Sequence, residues 1–308
     1  MPNDAPPSPT SGSSGLLRAA AAEIERQLAT ALAPGLYLVA TPIGNLGDIT
    51  LRALAVLARA DVIYCEDTRH SRGLLTHFAI DRPLRSYHEH NAEEERPRIL
   101  RQLDDGRIVA VITDAGTPLV SDPGFKLTRA ATEAGHGVFA LPGASAVLTG
   151  LAVSALPSDA FFFAGFPPPK EAALRARLEE LRPVPATLIL FEAPGRVARL
   201  LAAIADVLGD RDVVVARELT KRFEEIVRGT ASDVAAKLAG AETRGEIVVL
   251  IAPPDATVEA TDDAIAAELA RLLPTTSVKD ATRAVADHLR VARSRVYDIA
   301  LKLRSGQR

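Results

Sequence analysis

The chain has no tryptophan, one cysteine and few aromatic residues, 4% in all. Without tryptophan its cores must be aliphatic, built from Ala, Leu, Val and Ile. The lone Cys65 excludes an internal disulfide framework and suits a reducing compartment, so a cytoplasmic location is expected. No basic start followed by an apolar run opens the sequence, so no secretory leader is expected. Also missing are a Gly-x-Gly-x-x-Gly fingerprint after a strand and a Gly-x4-Gly-Lys-Ser/Thr loop. The first argues against dinucleotide binding, and the second excludes a P-loop nucleotide hydrolase.

What is present fits a globular chain with room for two cores: 308 residues, 47% apolar and 24% charged. Residues 137–158 carry no charge, a length nominally sufficient to cross a bilayer. However, Pro142, Gly143, Gly150 and Pro157 break this stretch. It reads better as a strand at 138–141, a turn, and an apolar helix at 145–155, with no membrane association.

Residues 1–15 are Pro, Ser, Thr, Asn and Gly with almost no apolar residue, which predicts a disordered tail. Residues 16–34 form a helix and linker, with Leu17, Ile24, Leu28 and Leu32 on one face. Over 35–156, strands at 36–40, 62–65, 108–113 and 138–141 alternate with helices at 51–59, 92–104 and 123–134. That pattern predicts parallel βαβ units. It restarts over 157–254, with strands at 161–164, 187–191, 213–217 and 246–251 and helices at 171–181, 196–208 and 232–238. Two α/β domains follow from this, and then 255–308 as a linker and a basic helix pair at 277–289 and 294–303 with Ser caps. Residues 271–308 hold nine Lys/Arg against three Asp, a charge of +6 on a body of −9. Such asymmetry suits an anionic partner; a solvated basic surface is the plain alternative.

Three loops follow strand ends, where open α/β sheets bind ligands. They are Ala40-Thr-Pro-Ile-Gly-Asn-Leu-Gly-Asp-Ile-Thr50, Asp114-Ala-Gly-Thr-Pro-Leu-Val-Ser-Asp-Pro-Gly124 and Leu141-Pro-Gly-Ala-Ser-Ala146. Their small residues let backbone amides approach a ligand. Asp122 or Ser121 is placed to cap the next helix, with Pro123 at its first position. Chemistry alone says only that a small polar ligand sits at the strand ends.

These loops, with Cys65-Glu-Asp-Thr-Arg69, Ser86-Tyr-His-Glu-His-Asn91, Phe191-Glu-Ala-Pro194, Ala216-Arg-Glu-Leu-Thr-Lys221 and Arg244-Gly-Glu-Ile247, resemble the ribosomal RNA small subunit methyltransferase I family. That family lies in the tetrapyrrole-methylase superfamily, and the resemblance runs from about Gly35 to Pro253 and into the terminal helices. Two positions depart from the pattern. Gly195 stands where the family often has His, and Gly165-Phe-Pro-Pro-Pro-Lys170 is more proline-rich than usual.

The resemblance implies two α/β domains of the tetrapyrrole-methylase type with an interdomain cleft for S-adenosylmethionine, plus a small C-terminal helical module. It implies cofactor contacts from Pro42, Asp114, Ala115, Gly116, Thr117, Val120, Ser121, Pro142, Ser145 and Ala146 in the first domain. The second would supply Leu190, Phe191, Glu192, Gly245 and Glu246. It further implies a homodimer that methylates a cytidine ribose 2′-hydroxyl in the decoding region of 16S rRNA, within the 30S subunit.

A sulfonium methyl is a strong electrophile, so no metal is required and the main tasks are positioning and deprotonation of the hydroxyl. Glu66, Asp67, His88 and Lys221 are the candidate catalytic groups, with Asp114, His90, Glu192 and Glu218 close behind. Adjacent carboxylates such as Glu66 and Asp67 are more often one cap and one solvated charge than a catalytic pair. His88 and His90 lack a convincing third metal ligand. Cys65, in an apolar strand, reads as a buried bystander. Lys170, Arg175, Arg177, Lys221, Arg222, Lys279, Arg293 and Arg295 are the candidate RNA contacts. The alternatives are methylation of a tetrapyrrole-like small molecule and a non-catalytic RNA-binding or ribosome-assembly role.

Overall fold

The computed structural model describes residues 11–121, 124–239, 245–254, 262–274, 276–289 and 291–305. The first run comprises α1 (Ser11–Ala29), β1 (Gly35–Val39), α2 (Leu51–Arg59), β2 (Val62–Cys65), α3 (Thr68–His77), β3 (Leu84–Ser86), α4 (Ala92–Asp104), β4 (Ile108–Val111), α5 (Phe125–Glu133), β5 (Val138–Leu141) and α6 (Ala146–Ser154). Its five strands form one all-parallel sheet in the order β3-β2-β4-β1-β5. Strands covered on both faces need no polar alternation, and β1 and β2 are buried at every position. Val39, Leu57 and Ile63 pack on one face, and Leu36, Tyr64, Ile99 and Leu127 on the other. Each such aliphatic side chain contributes about 1.5–3 kcal/mol.

The second run comprises β6 (Phe161–Gly165), α7 (Glu171–Leu181), β7 (Thr187–Glu192), α8 (Val197–Leu208), β8 (Asp212–Arg217), β9 (Glu225–Thr230), α9 (Ala231–Leu238) and β10 (Ile247–Ile251). The sheet order is β6-β7-β10-β8-β9. Only β6 and β7 run parallel; the other neighbours are antiparallel. Strand β9 is not among the strands expected from the sequence pattern. The connection at 218–224 is too short for a crossover helix, so β8 and β9 form a hairpin. As an edge strand, β9 carries Glu225 and Arg228 and lacks an apolar signature.

The uncharged stretch 137–158 resolves into β5, a turn and α6. Helix α6 is apolar because it lies between the two sheets. Val147 and Leu151 join Ile43 of the first loop in one core with Ile189, Val214, Val248 and Leu250 of the second sheet. Gly150 permits the approach: a Cβ there would stand 3.2 Å from Val248 Cγ1. No helix among the described residues is long and apolar enough to cross a membrane.

Three expectations change. Helix α1 starts at Ser11, so residues 11–15 are helical, the Ala-rich run extending toward the N-terminus; residues 1–10 lie outside the described residues. Helix α5 starts at Phe125 with Gly124 (φ 143°) as its cap residue and no side-chain cap. Ser121 does not cap it, because its own φ of 66° turns the chain away; Asp122 and Pro123 lie outside the described residues. Finally, the C-terminal module has three helices, α10 (Asp262–Leu272), α11 (Val278–Leu289) and α12 (Arg293–Ser305). The expected linker at 255–263 runs into α10, whose Ile265 and Leu269 are needed to close a core with Ala281, Val285, Val296 and Ala300. Residues 255–261 lie outside the described residues.

Candidate active site

The three loops are stitched together at the C-terminal edge of the parallel sheet. Thr41 and Gly116 exchange backbone hydrogen bonds of 2.9 and 3.0 Å. The Thr41 hydroxyl donates to the Thr113 carbonyl at 3.0 Å, and the Thr117 hydroxyl to the Ala144 carbonyl at 3.2 Å. Gly116 (φ 86°) carries the turn, and a Cβ there would lie 3.3 Å from Ile43. Ser145 caps α6, accepting from the Leu148 N–H. Four of the six non-glycine residues with positive φ among the described residues sit in loops around this site: Leu119, Ser121, Glu218 and Thr220. Strained backbone of this kind costs about 1–3 kcal/mol per residue and concentrates at ligand sites.

Between these loops and the second sheet lies a pocket of about 380 Å³, within the roughly 300–1,000 Å³ typical of small-ligand sites. Of the residues expected at the cofactor, Asp114, Ala115, Gly116, Thr117, Val120, Ser121, Ser145, Ala146, Phe191, Glu192, Gly245 and Glu246 line it. Pro42, Pro142 and Leu190 do not. Pro42 belongs to the loop that braces Gly116, and Leu190 is fully buried in the core beneath α7 and α8. The lining also includes Ile43, Thr113, Val147, Phe166, Ala193, Pro194, Leu219, Ile247 and Val248. These are mostly apolar residues whose presence in a pocket depends on how the sheets meet, so no motif announced them. Gly195 opens onto free space: nothing stands within 4 Å of where its Cβ would be.

Asp114, Glu192 and Glu246 line the pocket, and no lysine or arginine does among the described residues. Glu192 is 2% exposed, held by Arg196 at 2.6 Å and by the Ala193 N–H at 2.7 Å. Glu218 accepts from Lys221 at 2.7 Å and from the Glu246 N–H at 3.0 Å. Lys221 also reaches Glu246, at 3.1 Å. The Lys221 bond holds the Glu218 carboxyl below its usual range. Burial opposes the Lys221 charge, but its bonds to Glu218 and Glu246 outweigh that and raise its pKa. Gly44 (φ 156°) lies against the Lys221 stem, and a Cβ there would stand 2.3 Å from Cγ. Lys221 thus clamps the pocket's second-sheet lip to the first loop.

The four candidate catalytic groups fall outside the pocket lining. Asp67 caps α3 through the Arg69 N–H and pairs with the Arg69 side chain, whose bond lowers its pKa to about 2. Glu66 is exposed at the end of β2. His88 sits beyond β3 with its ring 5.9 Å from that of His90. No cluster of metal-ligating side chains occurs among the described residues. Cys65 is buried, and burial pushes its thiol pKa up, which leaves it unreactive.

The candidate RNA contacts divide. Arg175 pairs with Glu171 and Asp206, Arg177 with Glu180, and Arg295 with Asp262. Lys170, Lys279 and Arg293 are exposed. Arg222 lies over the ring of Phe223, 5.6 Å from its centroid, and that ring is 68% exposed.

A parallel five-stranded sheet joined through an apolar helix to a mixed one, with the ligand site between, is the tetrapyrrole-methylase fold. Uroporphyrin-III C-methyltransferase from Thermus thermophilus, solved in complex with S-adenosylhomocysteine, superposes with a TM-score of 0.51 at 21% identity, over 71% of this chain and 97% of that one. The pattern of the family described as Tetrapyrrole (Corrin/Porphyrin) Methylases matches residues 35–235. Within that class, the chain is 54% identical over 230 residues to ribosomal RNA small subunit methyltransferase I of Mesorhizobium japonicum, covering 74% of this chain and 78% of that one. It is 48% identical over 266 residues to the same enzyme of Micromonospora olivasterospora, covering 86% and 84%. The chain belongs to the ribosomal RNA small subunit methyltransferase I family.

Proposed function

We propose that this chain methylates the ribose 2′-hydroxyl of a cytidine in the decoding region of 16S rRNA, on the 30S subunit, as a cytoplasmic homodimer. S-adenosylmethionine is the methyl donor. The observation that carries the reading is the pocket wall. No cationic side chain is among its described lining residues; Arg196 and Lys221 reach Glu192 and Glu246, which leaves Asp114 to suit a ligand bearing a sulfonium and an ammonium, while Ile43, Val147, Leu219 and Val248 suit an adenine. When bound, the donor supplies an electrophilic methyl group.

The chain's own residues must position the acceptor and take its proton. Glu192 is engaged by Arg196 and Glu246 by Lys221. Asp114 accepts one backbone N–H, from Asp67 at 3.3 Å, and retains acceptor capacity toward the pocket. We therefore assign Asp114 as the proton acceptor, in place of Glu66, Asp67, His88 and Lys221. Asp114→Asn should lower kcat by roughly 10²–10⁴-fold. Exposed Lys170, Arg222, Lys279 and Arg293 are the proposed phosphate contacts.

The test is transfer of labelled methyl from S-adenosylmethionine to 30S subunits, run beside a tetrapyrrole acceptor. Label on 30S RNA supports the reading. Label on the tetrapyrrole alone would transfer the assignment to small-molecule methylation. Absence of cofactor binding by calorimetry would leave only a non-catalytic role.

A further inference from the structure

Among the described residues, Phe166 is the one lining residue of the pocket that is both large and apolar and more than half exposed, at 57%. Its neighbours hold the ring in place. It stands edge-on to Phe191, with centroids 5.5 Å apart, and Phe191 stands edge-on to Phe163 at 4.8 Å. A bulge in β6, where the register shifts between Phe163 and Gly165, redirects the chain just before Phe166. Gly165 takes up the turn with φ 70°, in a conformation that other residues rarely adopt. Pro167, Pro168 and Pro169 then stiffen the segment up to Lys170. Lys170 is exposed and has no ion pair among the described residues, whereas Arg175 and Arg177 on the following helix are paired with carboxylates. An exposed ring at the pocket and, four residues on, a cation with no ion pair among the described residues thus lie on one proline-stiffened loop.

We infer that this loop is a nucleotide platform, on which an unstacked base of the RNA strand lies against Phe166 while Lys170 takes an adjacent phosphate. The inference rests on the acceptor being RNA. A ribose inside a duplex cannot reach into a concave site, whereas a single strand with a splayed base can. Single-strand sites combine an aromatic face for the base with a cation for the backbone, and this loop supplies both. The stacked base would fix the ribose over the pocket and exclude water from it. The ring also sets a limit on sequence preference, because every base offers a π-face.

The test is binding of a short single-stranded oligoribonucleotide containing 2-aminopurine to the full chain saturated with S-adenosylhomocysteine. Quenching of the probe reports stacking and requires no methyl transfer. Phe166→Ala should weaken binding roughly 5- to 100-fold and abolish the quenching. Phe166→Leu should behave like Phe166→Ala, and Phe166→Trp should restore both. Lys170→Met should weaken binding about two- to tenfold with the quenching kept, and reduce the salt slope by about one. S-adenosylhomocysteine affinity should stay within twofold in Lys170→Met, which lies outside the pocket lining, and every variant is compared at saturating S-adenosylhomocysteine. The inference is overturned if Phe166→Leu binds and quenches like the native chain, since the ring would then serve only packing. It is also overturned if Phe166→Ala loses cofactor affinity instead of oligonucleotide affinity, or if the native chain leaves the probe unquenched. If the probe is bound and quenched but no label reaches 30S RNA in the transfer assay, the platform stands and the proposed acceptor fails.

Discussion

Replacing Lys221 by Met separates a clamp from a catalyst. The Lys221–Glu218 contact is 2.7 Å long, between side chains 27% and 19% exposed. The gross Coulomb attraction at that distance is about 6 kcal/mol for an effective dielectric constant near 20. Desolvation and side-chain ordering reduce a charge-assisted bond of this kind to about 1.5–3 kcal/mol net. Glu246 is 71% exposed, so its contact adds under about 1 kcal/mol. Lys221→Met should therefore cost about 2–3 kcal/mol and lower the thermal midpoint by about 4–10 °C. Its loss frees the Glu218 carboxylate, which accepts the Glu246 N–H and fixes the Gly245–Glu246 lip of the pocket. S-adenosylmethionine should bind about tenfold more weakly by calorimetry, an effect of about 1.4 kcal/mol.

The pH dependence follows from the two shifts. The lowered pKa of Glu218 gives stability that is present above its ordinary value of 4.5 and lost as the pH falls through the folded-state value. The raised pKa of Lys221 gives stability present below 10.5 and lost as the pH rises through its folded-state value. The difference between native and variant chains should be flat between these limits and shrink in acid. A variant with native cofactor affinity and native thermal midpoint, but no methyl transfer, would refute the clamp and make Lys221 catalytic.

Other perturbations test the remaining parts. Gly150→Ala drives a methyl group to 3.2 Å from Val248 and should cost about 1–3 kcal/mol in thermal denaturation; unchanged stability would mean that α6 does not seat against β10. Asp67→Ala removes the α3 cap and should cost about 0.5–2 kcal/mol while kcat holds; a drop of about 100-fold in kcat would return Asp67 to the chemistry. Deleting residues 277–308 should weaken binding to 30S subunits and flatten its salt dependence without changing cofactor affinity. An unaltered salt slope would assign the RNA contacts elsewhere.

Where local pattern decides the structure, the sequence was informative. Residues 51–59, 62–65, 92–104 and 171–181 are bounded in the structure as their sequence pattern places them, because apolar periodicity, and at 51–59 the Thr50 cap, act within a few residues. The edge strands β3 and β9 were not legible: β3 is only three residues long, and β9 mixes Glu225 and Arg228 with its apolar residues. Helix α10 is masked in the sequence, although Ile265, Leu269 and Leu272 carry its helical spacing, because acidic residues follow Pro253-Pro254 and imitate a linker.

At the site, the strand-end loops are visible as motifs of small residues, and Asp114 to Thr117, Val120 and Ser121 line the pocket they suggest. Function types attached to single residues transferred less well. Asp67 is taken up by the cap and pair it makes with Arg69, two residues on, and Lys221 by Glu218, three residues away, and by Glu246, whose approach depends on the fold. Phe166 stands out in the sequence only as part of the proline-rich run 165–170, because exposure at a pocket mouth exists only once β6 and the first-domain loops have met.

The central claim is that methyl moves from S-adenosylmethionine to one ribose of 16S rRNA. Incubating the native chain with labelled cofactor and 30S subunits, then digesting the RNA and sequencing the labelled fragment by mass spectrometry, tests it most directly. The account predicts one labelled cytidine in the decoding region, with the added methyl on the ribose 2′-oxygen and resistance of the adjacent phosphodiester to alkali. Label on a base, on another region of the RNA, or on no RNA at all would contradict it.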